Sequence, residues 1–132
     1  MTGKHLKPEP DGDSFRKFLN AEILEVRDGY ARVEGVVSSN YLNFHGTAHG
    51  AYIMALADFA FALAVNSGNY SRFALSIRMD FIKPAFHGDR LTAEAEIEYG
   101  RKVAFCRLEV KKGDETIARG LAIAYSTDAK RP

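Results

Sequence analysis

His49-Gly50-Ala51-Tyr52-Ile53-Met54-Ala55-Leu56-Ala57-Asp58-Phe59-Ala60-Phe61-Ala62-Leu63-Ala64-Val65 is a polar corner followed by fifteen residues that are apolar but for Asp58. Alanine recurs at 51, 55, 57, 60, 62 and 64, and Asn66-Ser67-Gly68-Asn69 closes the run, so a helix from about Gly50 to Asn66 is expected. At this length it falls short of the roughly 20 residues that cross a bilayer, and it carries a charge. It is also apolar nearly all round, so one sheet face cannot cover it. Either the sheet curls about the helix or a second subunit covers the rest, and both are expected.

The flanks supply that sheet. Glu22–Arg27 and Tyr30–Val37 read as strands joined at Asp28-Gly29, a hairpin signal. Ser14 to Leu19 makes a short helix with Phe15, Phe18 and Leu19 on one side. After the long helix the pattern turns to period two. Phe73, Leu75, Ile77, Met79 and Phe81 share one strand face, and Leu91, Ala93, Ala95, Ile97 and Tyr99 share another, opposite Glu94, Glu96 and Glu98. Further strands fall near 103–111 and 116–125, the last with a small face (Ala118, Gly120, Ala122, Ala124) and a bulky one (Ile117, Leu121, Ile123, Tyr125). The fold class is α+β: one long helix against a twisted, largely antiparallel sheet, with meander connections among the four late strands. Residues 1–12, with Pro8, Pro10 and Gly12, read as a flexible lead, 13–126 as one domain and 127–132 as a tail.

Composition narrows the function classes. With 132 residues, 46% apolar and 27% charged, the chain has the make-up of a globular protein. A net charge of +1 and the lack of a basic run give no footprint for nucleic acid. No signal sequence or membrane span is read, which points to the cytoplasm. Cys106, the one cysteine, sits in a strand and reads as a packed thiol. There is no phosphate loop and no serine nucleophile elbow. His45 and His49 lack metal-ligand spacing, and His5 and His87 read as tail and turn residues, so neither metal nor cofactor is expected.

Asp58 is the residue that asks for an explanation. It lies too deep in the helix for capping, which leaves a structural carboxylate held by N–H groups or an arginine, or a base or nucleophile in a subunit cleft. At the corner, Gly50 and Ala51 start a helix whose unpaired N–H groups suit an oxyanion, while a plain loop-to-helix entry capped by His49 is the simpler reading. Asn43 and His45 either orient a water or a carbonyl, or only tie the loop.

Asn43-Phe-His45-Gly-Thr-Ala-His49-Gly50-Ala51, then Leu56-Ala57-Asp58, then Phe81-Ile-Lys-Pro84-Ala-Phe-His-Gly88-Asp89-Arg-Leu91 and Tyr99-Gly100-Arg101-Lys102, resemble the hotdog-fold acyl-CoA thioesterases of the phenylacetic-acid-degradation (PaaI-like) type. The resemblance covers roughly residues 14–126. It implies a central helix wrapped by the sheet, a homodimer as the minimal active unit, commonly a tetramer, and a site in which the Asn43/His45 loop of one chain faces Asp58 of the other. It further implies Asp58 as base or nucleophile on an acyl-CoA thioester, Asn43 placing water or carbonyl, and the Gly50 or Ala51 N–H polarising the thioester oxygen. The family motif usually has two glycines after its histidine, and here the second is Ala51. Tyr52, Phe59 and Phe61 are the expected acyl walls, and Arg101 and Lys102 the expected contacts of the CoA phosphates. The competing functions are an acyl-thioester hydratase or dehydratase and a non-catalytic acyl-CoA or lipid sensor on the same scaffold.

Overall fold

In the computed structural model, which describes residues 12–127, the long helix is cradled by a single curved sheet. The expected lead and tail lie almost wholly outside the described residues, as does His5. The elements run α1 (Ser14–Leu19), β1 (Glu22–Arg27), β2 (Tyr30–Val36), a 3₁₀ turn (Ser39–Tyr41), α2 (Gly50–Val65), β3 (Phe73–Phe81), β4 (Arg90–Gly100), β5 (Val103–Lys112) and β6 (Glu115–Tyr125). All strand pairs are antiparallel, in the order β1-β2-β4-β5-β6-β3.

This order departs from a simple meander. β4, β5 and β6 follow one another, but β3 crosses to the far edge and pairs with β6, while β4 lies beside β2. The segment between β3 and β4 is pinned along the way. Ile82 and Lys83 donate their N–H groups to the Ile117 carbonyl, Ala48 donates to Ala85, and Val37 and Gly88 bond to Asp89 and Val37. Pro84 has no N–H to offer a ladder, which favours a crossing chain over a continued hairpin at this point.

Small side chains set how deeply the helix sits. Ala31, Ala93, Ala95, Ala118, Ala122 and Ala124 are buried on the concave face, and Leu56, Phe59, Ala60, Phe61 and Ala64 of α2 pack in the same core. Gly35 on β2 is part of this fit, since a Cβ there would lie 2.5 Å from the Tyr52 hydroxyl. Cys106 is buried here as a packed thiol, and burial pushes it up to about 12, far from a reactive thiolate. The convex face carries the glutamate row, paired rather than merely solvated: Glu96 takes a bond from Arg107 at 2.7 Å, and Lys111 approaches Glu94 at 3.4 Å.

Two strand faces are split where the alternation predicted continuity. Register shifts fall between Ala74 and Ser76 and between Ile97 and Tyr99. An extra residue in one strand turns the next side chain to the other face. Leu75 is therefore exposed, and Tyr99 leaves the Leu91–Ile97 face to stack on Phe105 at 4.6 Å.

At Gly120, β6 and β3 approach so closely that an added Cβ would lie 1.9 Å from the Arg78 carbonyl oxygen. Gly120→Ala should force the edge strand away and lower stability by about 3 kcal/mol, at the upper end of overpacking costs. Thermal unfolding checks it, and melting unchanged from wild type would show that β3 is held less tightly than described.

Candidate active site

α2 begins where the loop from Leu42 to Ala48 closes on itself. Asn43 Oδ1 accepts the N–H groups of His45 (2.9 Å) and Thr47 (3.1 Å), and its Nδ2 donates to Thr47 Oγ1 at 3.0 Å. The Asn43 amide thus ties the loop, with one N–H remaining to give. His45 stands exposed at the loop tip, edge-on to Phe44 at 4.3 Å. His49 is the N-cap. Its Nδ1 accepts the Ala51 N–H at 3.0 Å, which assigns the ring proton to Nε2 in the neutral form.

That cap decides which donor is left. The N–H of Ala51 is taken by His49, and those of Tyr52 and Ile53 go to the His49 carbonyl. The N–H of Gly50 has no hydrogen-bond partner among the described residues. Gly50 lines a cleft of about 370 Å³ with Asn43, Ala48, Ile53, Phe81, Ile82, Lys83 and Pro84. A helix-start donor at an apolar cleft is placed to receive an oxygen gaining negative charge. Phe81 and Lys83 in this lining were not marked by the sequence; the strand alternation put Phe81 on a face without showing that the face ends at the corner.

Asp58 is half-buried and faces outward on α2, on the stripe of Ala51, Met54, Ala55 and Ala62, rather than into the core. No hydrogen bond or ion pair from its carboxylate is found among the described residues. Burial, and next the nearby Asp13 carboxylate, push its pKa above the ordinary carboxylate value. Gly50 and Asp58 are eight residues apart on a continuous helix, about 12 Å along its axis at 1.5 Å per residue. That rise sets the two groups well apart along the helix of one chain.

The aromatic residues separate. Phe59 and Phe61 are core residues, under 5% exposed, and line none of the clefts described, so they are not acyl walls on the surface of this chain. At about 100° per residue they flank the Asp58 stripe, roughly 100° and 60° from it, and pack inward there. Tyr52 is buried with its ring stacked on Tyr41 at 4.2 Å, and its hydroxyl has no partner among the described residues. Burial pushes that hydroxyl up to about 12, so it stays neutral. A buried, unpaired hydroxyl costs stability, and Tyr52→Phe should gain about 1 kcal/mol in urea unfolding. A loss would mean that the hydroxyl is satisfied by water.

Arg101 and Lys102 are exposed in the β4–β5 turn, at the C-terminal end of α2 and not at the Gly50 corner. Arg101 lines a polar cleft with Asp28, Asn69, Tyr70 and Arg72, and its carbonyl accepts from Arg72 Nε at 2.7 Å. Among the described residues no three of His, Cys, Asp and Glu are grouped to hold a metal ion, and no helix is long and apolar enough to cross a membrane.

A long helix cradled by a curved, antiparallel six-stranded sheet is the hotdog arrangement. Residues 45–118 match the Thioesterase superfamily, and the chain belongs to that family. Within it the chain is closely related to PaaI-type proteins. It is 34% identical over 110 residues to the acyl-coenzyme A thioesterase PaaI of Escherichia coli, covering 82% of this chain and 79% of that one. The structure of the E. coli PaaI protein superposes with a TM-score of 0.86 at 30% identity, over 91% of this chain and 88% of the other. A mutant of the phenylacetic acid degradation protein PaaI from Thermus thermophilus gives 0.83 at 37% identity, over 86% and 99%. A hypothetical thioesterase from Streptococcus pneumoniae, solved with coenzyme A, gives 0.80 at 26% identity, over 87% and 94%.

Proposed function

We propose that the chain hydrolyses acyl-CoA thioesters at a site shared by two copies, with Gly50 and Asn43 from one and Asp58 from the other. The observation that carries this reading is the half-buried Asp58 carboxylate, without a partner among the described residues and about 12 Å along α2 from its own Gly50. The free edge of β3, with Phe73, Leu75 and Phe81 exposed, supports pairing of two copies beside the cleft that Phe81 lines. Coenzyme A in the S. pneumoniae relative and the acyl-CoA thioesterase name of the E. coli one support the substrate class.

In the proposed reaction Asp58 takes a proton from water as the water oxygen bonds to the thioester carbon. The carbonyl oxygen becomes an oxyanion held by the Gly50 N–H, and the remaining Asn43 N–H steadies the carbonyl or the water. The C–S bond then breaks, and the CoA thiolate recovers the proton from Asp58. Attack by Asp58 itself would give a mixed anhydride that water then opens, with the same products. A raised carboxylate pKa makes the group a better base once ionised, and an apolar cleft strengthens the single N–H bond to the oxyanion.

Thiol release from a panel of acetyl-, alkyl- and aryl-acyl-CoAs, followed in parallel for wild type and Asp58→Ala, tests the reading. Turnover that disappears in the variant is expected. Binding without turnover across the panel would favour the sensor, and water addition to an enoyl-CoA would favour the hydratase.

A further inference from the structure

α1 lies across the first turns of α2 and walls a second, open cleft of about 190 Å³. Phe15, Phe18 and Leu19 of α1 form one wall, Tyr41 another, and Ala51 and Ala55 of α2 the base. Ala51 and Ala55 lie on the same outward stripe as Asp58, with Ala55 one turn before it. α1 reaches the carboxylate as well: Asp13, its N-cap, is the neighbouring charge that Asp58 feels. The wall therefore stands directly beside the candidate base.

Six residues do not hold a helix in water alone, and α1 is kept in place by specific bonds. The Tyr41 hydroxyl donates to the Phe18 carbonyl at 2.6 Å, and Arg16 Nε donates to the Ala21 carbonyl at 3.0 Å. Asp13 accepts the Arg16 N–H, and Asn20 ends the helix in the left-handed conformation, at φ 52°. Phe15 and Phe18 stack at 5.8 Å yet remain 55% and 63% exposed. Two stacked rings over a mainly apolar cleft, in which Asn40 and His49 are the polar members beside Tyr41 and Tyr52, suit an apolar guest.

We propose that Phe15 and Phe18 of α1 are specificity-determining residues that set which acyl tails the site accepts, by walling the cleft over Ala51 and Ala55, one helical turn before Asp58. The proposal rests on the thioesterase reading for the identity of the guest. A cleft of this volume is on the scale of one ring or a short acyl chain. Longer tails meet the Phe15–Phe18 stack.

The test compares wild type, the Phe15→Ala/Phe18→Ala double variant and Phe18→Trp. Two readouts are taken: kcat/KM for decanoyl-CoA over hexanoyl-CoA, and affinity for S-decyl-CoA over S-hexyl-CoA, thioethers that need no catalysis. The double variant should raise both ratios about tenfold, and Phe18→Trp should lower them. Both ratios staying within about twofold of wild type in each variant, with melting curves showing folded protein, would overturn the proposal even if hydrolysis is present. Thioether ratios that shift while no thioester is turned over would leave the α1 wall standing and remove the catalytic reading. The tryptophan variant keeps the test open should the double truncation unfold.

Discussion

The Asp58→Asn variant should lose about 10³-fold in kcat on its best acyl-CoA, remain folded, and melt higher than wild type at neutral pH. Loss of rate follows from the proposed chemistry, because an amide takes no proton from water. The gain in stability follows from burial. The folded chain holds the Asp58 proton more tightly than the unfolded chain, so this group's contribution is complete below the unfolded pKa and is lost as pH rises through the raised folded one. Burial opposes ionisation of the wild-type carboxylate, a cost that the neutral amide of the variant does not carry. The two melting temperatures should converge as the pH falls below the carboxylate range. A structural carboxylate would give the reverse, with the variant less stable at pH 7. The same shift places the acid limb of kcat/KM above the ordinary aspartate value of 3.8.

A second large effect is expected at the other end of the site. Gly50→Pro should lower kcat by about 10²-fold while barely changing stability. Gly50 is the first residue of α2, where a proline is tolerated because its N–H has no helical partner. His49 already has φ −64° and ψ 137°, the extended geometry that a following proline requires. The substitution thus deletes the one free donor and little else. Gly50→Ala is the control. It keeps the N–H and brings a Cβ to 3.5 Å from the Phe81 ring, ordinary contact. Equal rates for the proline and alanine variants would remove the backbone donor from the mechanism. A proline variant that melts far below wild type would instead show that this N–H is engaged in the fold.

Much of this architecture was legible before any coordinates. The alanine-rich run and its Asn66-Ser67-Gly68 stop fixed α2 to within one residue, because helix propensity and punctuation agree there. The Asp28-Gly29 hairpin and the strands from Arg90 onward followed from local turn chemistry. The position of β3 did not, since strand order is set by contacts remote in sequence. The bulges before Ser76 and Tyr99 were equally hidden, for alternation counts residues and a bulge adds one unannounced. At the site, Asp58 stood out as the charge among alanines. Which of the Gly50 and Ala51 N–H groups is free depends on the rotamer of His49, and the burial of Phe59 and Phe61 was hidden because an all-apolar helix does not show which side meets the sheet.

The twelve-ångström gap along α2 also has a genetic meaning. If each centre draws its donor from one chain and its base from another, two defects on different chains complement each other. An Asp58→Asn chain still offers a sound Gly50 corner, and a Gly50→Pro chain still offers a sound carboxylate. Mixed and reassembled, these two inactive populations should recover roughly a quarter of wild-type activity, since half the random pairs are hybrids and each hybrid rebuilds one of its two centres. A freshly made chain, by the same logic, is inert until it meets another, so abundance itself becomes a control on the reaction.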